Sequence, residues 1–245
     1  MPRRDRVRAL ALVSALAALA LATGCRGTSA SGTATVQMTG TVSTQVARAA
    51  AGSATPAAPP PRPVRVRTVD PGTLPQTAAK PAFGAMFDAQ MRTLWTAIVT
   101  ASPRLARSVF FPASAYRQLK AIPSPSSDYI YRLLAFFDLD IAAYHVHVGP
   151  KPAAARLVAV EAESALAAWI PAGACENAVG YWHLPGTRLV YTVVGRRYSF
   201  RVSSLISWRG VWYVIHLGPN PRPSNVGTVD DPQVGAGVPG PGGGC

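Results

Sequence analysis

The stretch from Gly180 to Gly218, GYWHLPGTRLVYTVVGRRYSFRVSSLISWRGVWYVIHLG, constrains the fold more than any other part of the chain. Three runs of alternating apolar residues, rich in Val, Tyr, Phe and Trp, are separated by short turns at Gly195-Arg196-Arg197 and Arg209-Gly210. Period-2 alternation broken by glycine turns predicts an antiparallel meander. In the middle run Tyr198, Phe200, Val202, Ser204, Ile206 and Trp208 share one face, while Ser199, Arg201, Ser203, Leu205 and Ser207 share the other. The first face is expected to pack on helices and the second to be half wet. In the last run Val211, Tyr213, Ile215 and Leu217 alternate with Trp212, Val214 and His216. Both of its faces carry apolar groups, which predicts a strand that is central or covered on both sides.

The residues before this meander have a different period. Phe83, Phe87, Met91, Leu94, Trp95 and Ile98 recur at the spacing of one helical face. Ser102-Pro103 ends that helix, because a residue preceding proline is pushed out of the α region. A shorter helical stretch interrupted at Pro112 follows, then a loop and N-cap choice over Ser124–Asp128. A third helix carries Ile130, Leu133, Leu134, Phe137, Ile141 and Tyr144 and closes at Gly149-Pro150. Leu157–Val160 reads as a strand running into a helical turn up to Trp169, with a break at Pro171-Ala172-Gly173. Helices first and strands after predict an α+β domain over residues 83–218, with the helices packed on an antiparallel sheet. Residues 25–82, rich in Ala, Pro and Thr, lack the apolar residues needed to offset ordering entropy, as does the Gly/Pro-rich tail 219–245. Both are expected to be disordered.

At the N-terminus Arg3, Arg4, Arg6 and Arg8 precede an apolar run from Ala9 to Ala22. The run is shorter than the ~20 residues of a membrane span, and its cationic start and small-residue end are those of a secretory signal. The segment Leu21-Ala22-Thr23-Gly24-Cys25 resembles the bacterial lipobox, with leucine one step further from the cysteine than usual. That resemblance implies a signal peptide over 1–24, cleavage before Cys25 and a diacylglycerol on the Cys25 thiol, which anchors the chain to the extracytoplasmic face of the cell membrane. Cleavage removes four arginines and one aspartate, taking the formal charge from +13 to +10. Twenty-one of the 24 cationic side chains are arginine, a bias of GC-rich bacterial coding rather than a binding signal. In the envelope the basic surface would meet anionic lipid or wall polymer. Nucleic acid, which Arg196, Arg197, Arg201 and Arg209 could contact by residue type, is set aside on compartment.

The order of helices and meander, and the hairpin Ser207-Trp208-Arg209-Gly210-Val211-Trp212-Tyr213, resemble the NTF2-like (SnoaL-type) cone, in which helices fill the hollow of a bent antiparallel sheet. The stretches VFFPASAYRQLKAIP, GACENAVGYWHLPG and SLISWRGVWYVIHLG resemble uncharacterised lipoproteins of actinobacteria. The fold resemblance implies two alternatives: a non-catalytic ligand- or protein-interaction module, or an enzyme or small-molecule binder using the cone. The contents of the hollow discriminate them. Polar candidates such as Asp138, His145 or His183 around an open cavity favour the second, and apolar filling favours the first.

Individual residues add little chemistry. Asp138 and His145, seven apart on one helical face, could form an acid–base dyad, and His183 could stand at a cavity mouth beside Glu176, Asn177, Tyr181 and Trp182. The structural alternatives, satisfied histidines and a packed loop, are the favoured readings. His145, His147, His183, His216 and Cys175 show no compact metal-ligand spacing, so neither metal nor cofactor is expected. A hydrolase built on Cys175 with His183 or His216 lacks a signature. Once Cys25 is lipidated, Cys175 and Cys245 remain and could pair in an oxidising compartment.

Overall fold

The computed structural model describes residues 69–222, 224–241 and 244. The expected signal peptide, Cys25, Cys245 and most of the expected linker lie outside these residues. The chain divides into two units, Met1–Arg62 and Pro63–Cys245, and every described residue belongs to the second.

Helix α1 (Ala85–Val99) buries Phe87, Met91, Leu94, Trp95 and Ile98, the predicted stripe, while Phe83 precedes the helix and stacks on Trp212 with ring centroids 5.9 Å apart. Pro103 opens a 3₁₀ segment rather than continuing α1. Pro112 does not interrupt a helix; it sits at the N-cap of α2 (Ala113–Leu119), where a missing N–H costs nothing. The third predicted helix has three parts: α3 (Pro125–Asp128), a π-helical turn (Tyr129–Leu134) and α4 (Ala135–Val148). Asp128 does not cap it; its carboxylate binds Arg132 and Tyr116 instead. α4 stops at Gly149, which takes φ +103°, open to glycine and strained for other residues.

The six strands are β1 (Arg156–Glu161), β2 (Ala168–Ile170), β3 (Tyr181–Val193), β4 (Arg196–Trp208), β5 (Val211–His216) and β6 (Asp230–Val234). They form one antiparallel sheet, so the domain is α+β. The two long central strands β3 and β4 are joined at Val194-Gly195, and β4 to β5 at Arg209-Gly210. All four turn residues have positive φ, as two-residue primed hairpin turns require. β1 and β2 flank different halves of β3, and β5 and β6 flank different halves of β4. β5 is an edge strand of the ladder order rather than a central one. It is nevertheless covered: Phe111 N donates to Val214 O, and Val214 N donates to Val109 O, both at 2.9 Å. Satisfying the edge in this way accounts for the apolar character of both its faces.

One end of the sheet face carrying Phe200 packs against α1 and α4 through Trp95 and Tyr144. Centroid separations there are 5.1 Å for Trp95–Tyr191 and 4.6 Å for Tyr144–Phe200. The opposite face is not half wet as expected. Ser199, Ser203, Leu205 and Ser207 are all buried, because both flanking segments lie over this part of the molecule. On the N-terminal side Gln76 donates to Ser207 O and accepts from Arg209 N, Trp182 donates to Ala78 O, and Trp208 donates to Pro71 O. The expected linker to residue 82 therefore gives way to packed chain by Pro71.

The tail from residue 219 likewise departs from the expectation of disorder: it returns to the sheet as β6. Polar anchors supply the order that apolar periodicity does not. Asp140, 1 % exposed, accepts from Gly218 N and Thr228 N and pairs with both Nη atoms of Arg222. Arg201 pairs with Asp230 at 2.9 Å. Arg188, fully buried in the middle of β3, reaches Asp231 at 2.7 Å, Ser199 Oγ, and the carbonyls of Asp231 and Ala236. Glycine makes this approach possible: a Cβ on Gly237 would lie 2.4 Å from the Arg188 guanidinium.

Candidate functional site

Between the helices and the other end of the Phe200 face lies a cavity of about 500 Å³, within the size range of small-molecule sites. Three elements build its walls. α2 and the π-helical turn contribute Tyr116, Leu119, Leu133 and Arg132, with Lys120 following α2. The loop from Cys175 to Asn177 forms the rim, and strands β3 to β5 supply His183, Ser204, Ile206, Ile215 and His216. A π turn inside an α-helix shifts the register of its side chains and is common at functional sites. Here it brings Arg132 and Leu133 to the cavity.

The rim is held in a strained conformation. Cys175 and Glu176 have φ of 54° and 58°, in the left-handed region that non-glycine residues rarely adopt. It is docked on the end of α2 by Ala121 N donating to Glu176 O, Ala178 N donating to Leu119 O, and Lys120 Nζ donating to Cys175 O at 2.6 Å. Burial lowers the Lys120 pKa, a shift the Glu176 carboxylate opposes. Arg132 forms a two-point pair with Asp128, both contacts 2.6 Å, and Tyr116 donates to the same carboxylate. The arginine bordering the cavity is thus already neutralised by protein.

The sheet side of the cavity has a different character. His183 Nε2 and Ser204 Oγ are 2.6 Å apart and share a hydrogen bond. Ser204 stands directly opposite His216 in the β4–β5 ladder. A bulge between Ser204 and Leu205 in that ladder moves His216 onto the Ser204 face; simple alternation places it with Trp212 and Val214. Bulges commonly re-aim a side chain next to a site. The His216 ring makes no hydrogen bond with any described residue. Burial, reinforced by Arg132, Arg222, His183 and Lys120, pushes its pKa down to about 3, so the ring is neutral at physiological pH. Tyr181 is buried and its pKa is raised by that burial, so its phenol keeps its proton. Its oxygen accepts from Asn177 Nδ2 at 3.4 Å. Asn177 Oδ1 has no partner.

The candidates drawn from sequence separate clearly. His183 lines the cavity. Asp138 pairs with Arg107 at 2.7 Å, and His145 Nδ1 lies 2.9 Å from Ile98 O. Neither lines the cavity, and their engagement elsewhere dissolves the Asp138–His145 dyad. Cys175 borders the cavity but is disulfide-bonded, so it offers no thiolate nucleophile. The expected partner, Cys245, lies outside the described residues. Among the described residues no cluster of three or more potential metal ligands occurs. Ser204 was not among the candidates, and His216 was weighed only as a metal ligand or as a partner for Cys175. For Ser204 a signal existed, since it is the polar residue in an otherwise aromatic and aliphatic strand face.

Fold and site together define an α+β domain with a ligand-sized cavity where the helices meet the sheet. No known protein family, curated protein or solved structure matches the chain. Among the described residues no helix is long and apolar enough to cross a membrane.

Proposed function

We propose that this is an extracytoplasmic lipoprotein, anchored through diacylglycerol on Cys25, whose NTF2-like domain binds a small molecule in the cavity between helices and sheet. The observation that carries the binding reading is the open cavity of about 500 Å³ with His183, Ser204 and His216 on one wall and aliphatic side chains around them. A purely structural hollow of this fold would be filled by apolar side chains, since polar groups in a core cost free energy unless paired. The anchor reading rests on the lipobox resemblance alone. The mature charge of +10 favours residence beside anionic lipid or wall polymer. In this reading Cys175 pairs with Cys245, the cysteine that lipidation leaves over, and holds the chain end near the cavity rim.

Two experiments test the two parts. Ile206→Trp fills the cavity from the sheet side. A metabolite library screened by thermal shift should yield ligands of the wild-type protein that the variant does not bind; hits that bind both equally would refute the cavity reading. Replacing Cys25 with serine should move the protein from the membrane to the soluble fraction, and continued membrane residence would refute the anchor. A catalytic reading of the same cavity has one observation in its favour, the 2.6 Å Ser204–His183 pair, a nucleophile within reach of a base. Hydrolysis of p-nitrophenyl acetate that disappears in Ser204→Ala supports catalysis. A rate unchanged by that substitution removes it.

A further inference from the structure

The hydrogen-bonding inventory of the cavity wall narrows the kind of molecule it can take. His216 is neutral, carries one N–H donor and one bare ring nitrogen, and spends neither on a described residue. The Tyr181 hydroxyl accepts from Asn177, and its own hydrogen has no acceptor among the described residues. A ligand that displaces the water reaching these donors and acceptors must offer both capacities, because each group it leaves unpaired costs about 1–3 kcal/mol.

Charge points the same way. The arginine that borders the cavity, Arg132, is held bidentately by Asp128, and the nearby Arg222 is held by both oxygens of Asp140. Lys120 donates to the Cys175 carbonyl, and the Glu176 carboxylate on the same rim offsets its charge. An anion entering the cavity would find no guanidinium free of its carboxylate, and it would be desolvated without full compensation. Around these polar groups Leu119, Leu133, Ile170, Ile206 and Ile215 present an aliphatic lining.

We propose that the cavity selects an uncharged small molecule with an aliphatic body and an amide- or hydroxyl-type head that both donates and accepts hydrogen bonds, the head seated against His216. This inference rests on the reading of the cavity as a binding site. His216 acts here as a binding residue retained at the expense of fold stability.

A matched series of probes tests it on the full chain in detergent: hexanamide, hexanoate and heptan-2-one. They share a short aliphatic body, but the second is an anion and the third accepts without donating. Binding is followed by the ring resonances of the four histidines in long-range ¹H–¹⁵N spectra. Hexanamide should shift the His216 resonances and bind about tenfold more tightly than either analogue, the equivalent of one or two lost hydrogen bonds. His216→Phe should lose about the same factor for hexanamide while its melting temperature holds or rises. Hexanoate or heptan-2-one binding as tightly as hexanamide overturns the proposed ligand class and leaves the cavity reading intact. Failure of all three at His216 also overturns it, and the library screen against Ile206→Trp then decides whether the cavity reading falls too. Unchanged hexanamide affinity in His216→Phe overturns the assignment of the head to this residue.

Discussion

Acid should destabilise this domain well above the pH at which its carboxylates protonate, and His216 should be the cause. In the folded chain the His216 ring resists protonation down to about pH 3, while in the unfolded chain it titrates near 6.5. The unfolded state therefore binds the proton first, and lowering the pH favours unfolding. Stability is fully present above pH 6.5 and falls by about 1.4 kcal/mol per pH unit below it. Between pH 7.5 and pH 5 the loss attributable to His216 is about 2 kcal/mol. The groups that set this behaviour face it from several elements: Arg132 on the π turn, Arg222 in the tail, His183 on β3, and Lys120 after α2. Asp128 and Asp231, held below their ordinary range, lose their stabilising contribution only nearer pH 4 and lower, outside the window. His147, also lowered by burial, contributes equally to wild type and variant and cancels in the comparison. The assay is urea denaturation at pH 7.5 and pH 5 for wild type and His216→Phe. At pH 7.5 the variant should match or exceed wild type by up to about 1 kcal/mol, since an apolar ring replaces an unpaired polar one. At pH 5 it should be more stable by about 2 kcal/mol beyond that difference. Equal losses in the two proteins over this interval refute the assignment.

Further perturbations address the parts of the fold that hold the cavity. Asp140→Ala leaves Arg222 buried without its carboxylate and should cost about 3–5 kcal/mol, with limited proteolysis cutting the released tail first. Ending the chain after Leu217 removes every tail partner of Arg188 and should lower the unfolding free energy by a similar amount; an unchanged denaturation midpoint would restore the view of the tail as an appendage. Trp95→Ala opens the contact between α1 and Tyr191 and Phe200 and should cost about 3–5 kcal/mol by chemical denaturation.

The parts of the fold visible in the sequence are those governed by periodicity. The alternation through Tyr198–Trp208 and the helical stripe Phe87–Ile98 each require burial on one side, and that requirement survives whatever else packs nearby. The tail obeyed no such pattern. Its order comes from Asp140, Asp230 and Asp231 meeting Arg222, Arg201 and Arg188, pairs separated by tens of residues and readable only once the strands are placed. Arginines explained by coding bias thus include three that hold the tail. Segment 71–82 departs from its expected disorder for the related reason that its polar and proline-rich chain docks through backbone carbonyls and Gln76 rather than through apolar side chains. Of the candidate site, His183 was visible as a histidine in a strand pattern. Ser204 was visible in principle as a polar break in an apolar face. His216 was visible as a histidine but not as a cavity residue, because one bulge in the β4–β5 ladder reverses the face to which simple alternation assigns it.

That bulge brings His216 onto the cavity face, and whether the cavity holds a ligand in the cell is open to direct test. The most direct measurement is native mass spectrometry of the protein isolated under mild conditions from the cells that make it. A non-covalent adduct of a small, uncharged molecule should be present on the wild type, lost on mild activation, and absent from both His216→Phe and Ile206→Trp. A wild-type protein that carries no adduct, or an adduct retained equally by both variants, would contradict the cavity as the functional site.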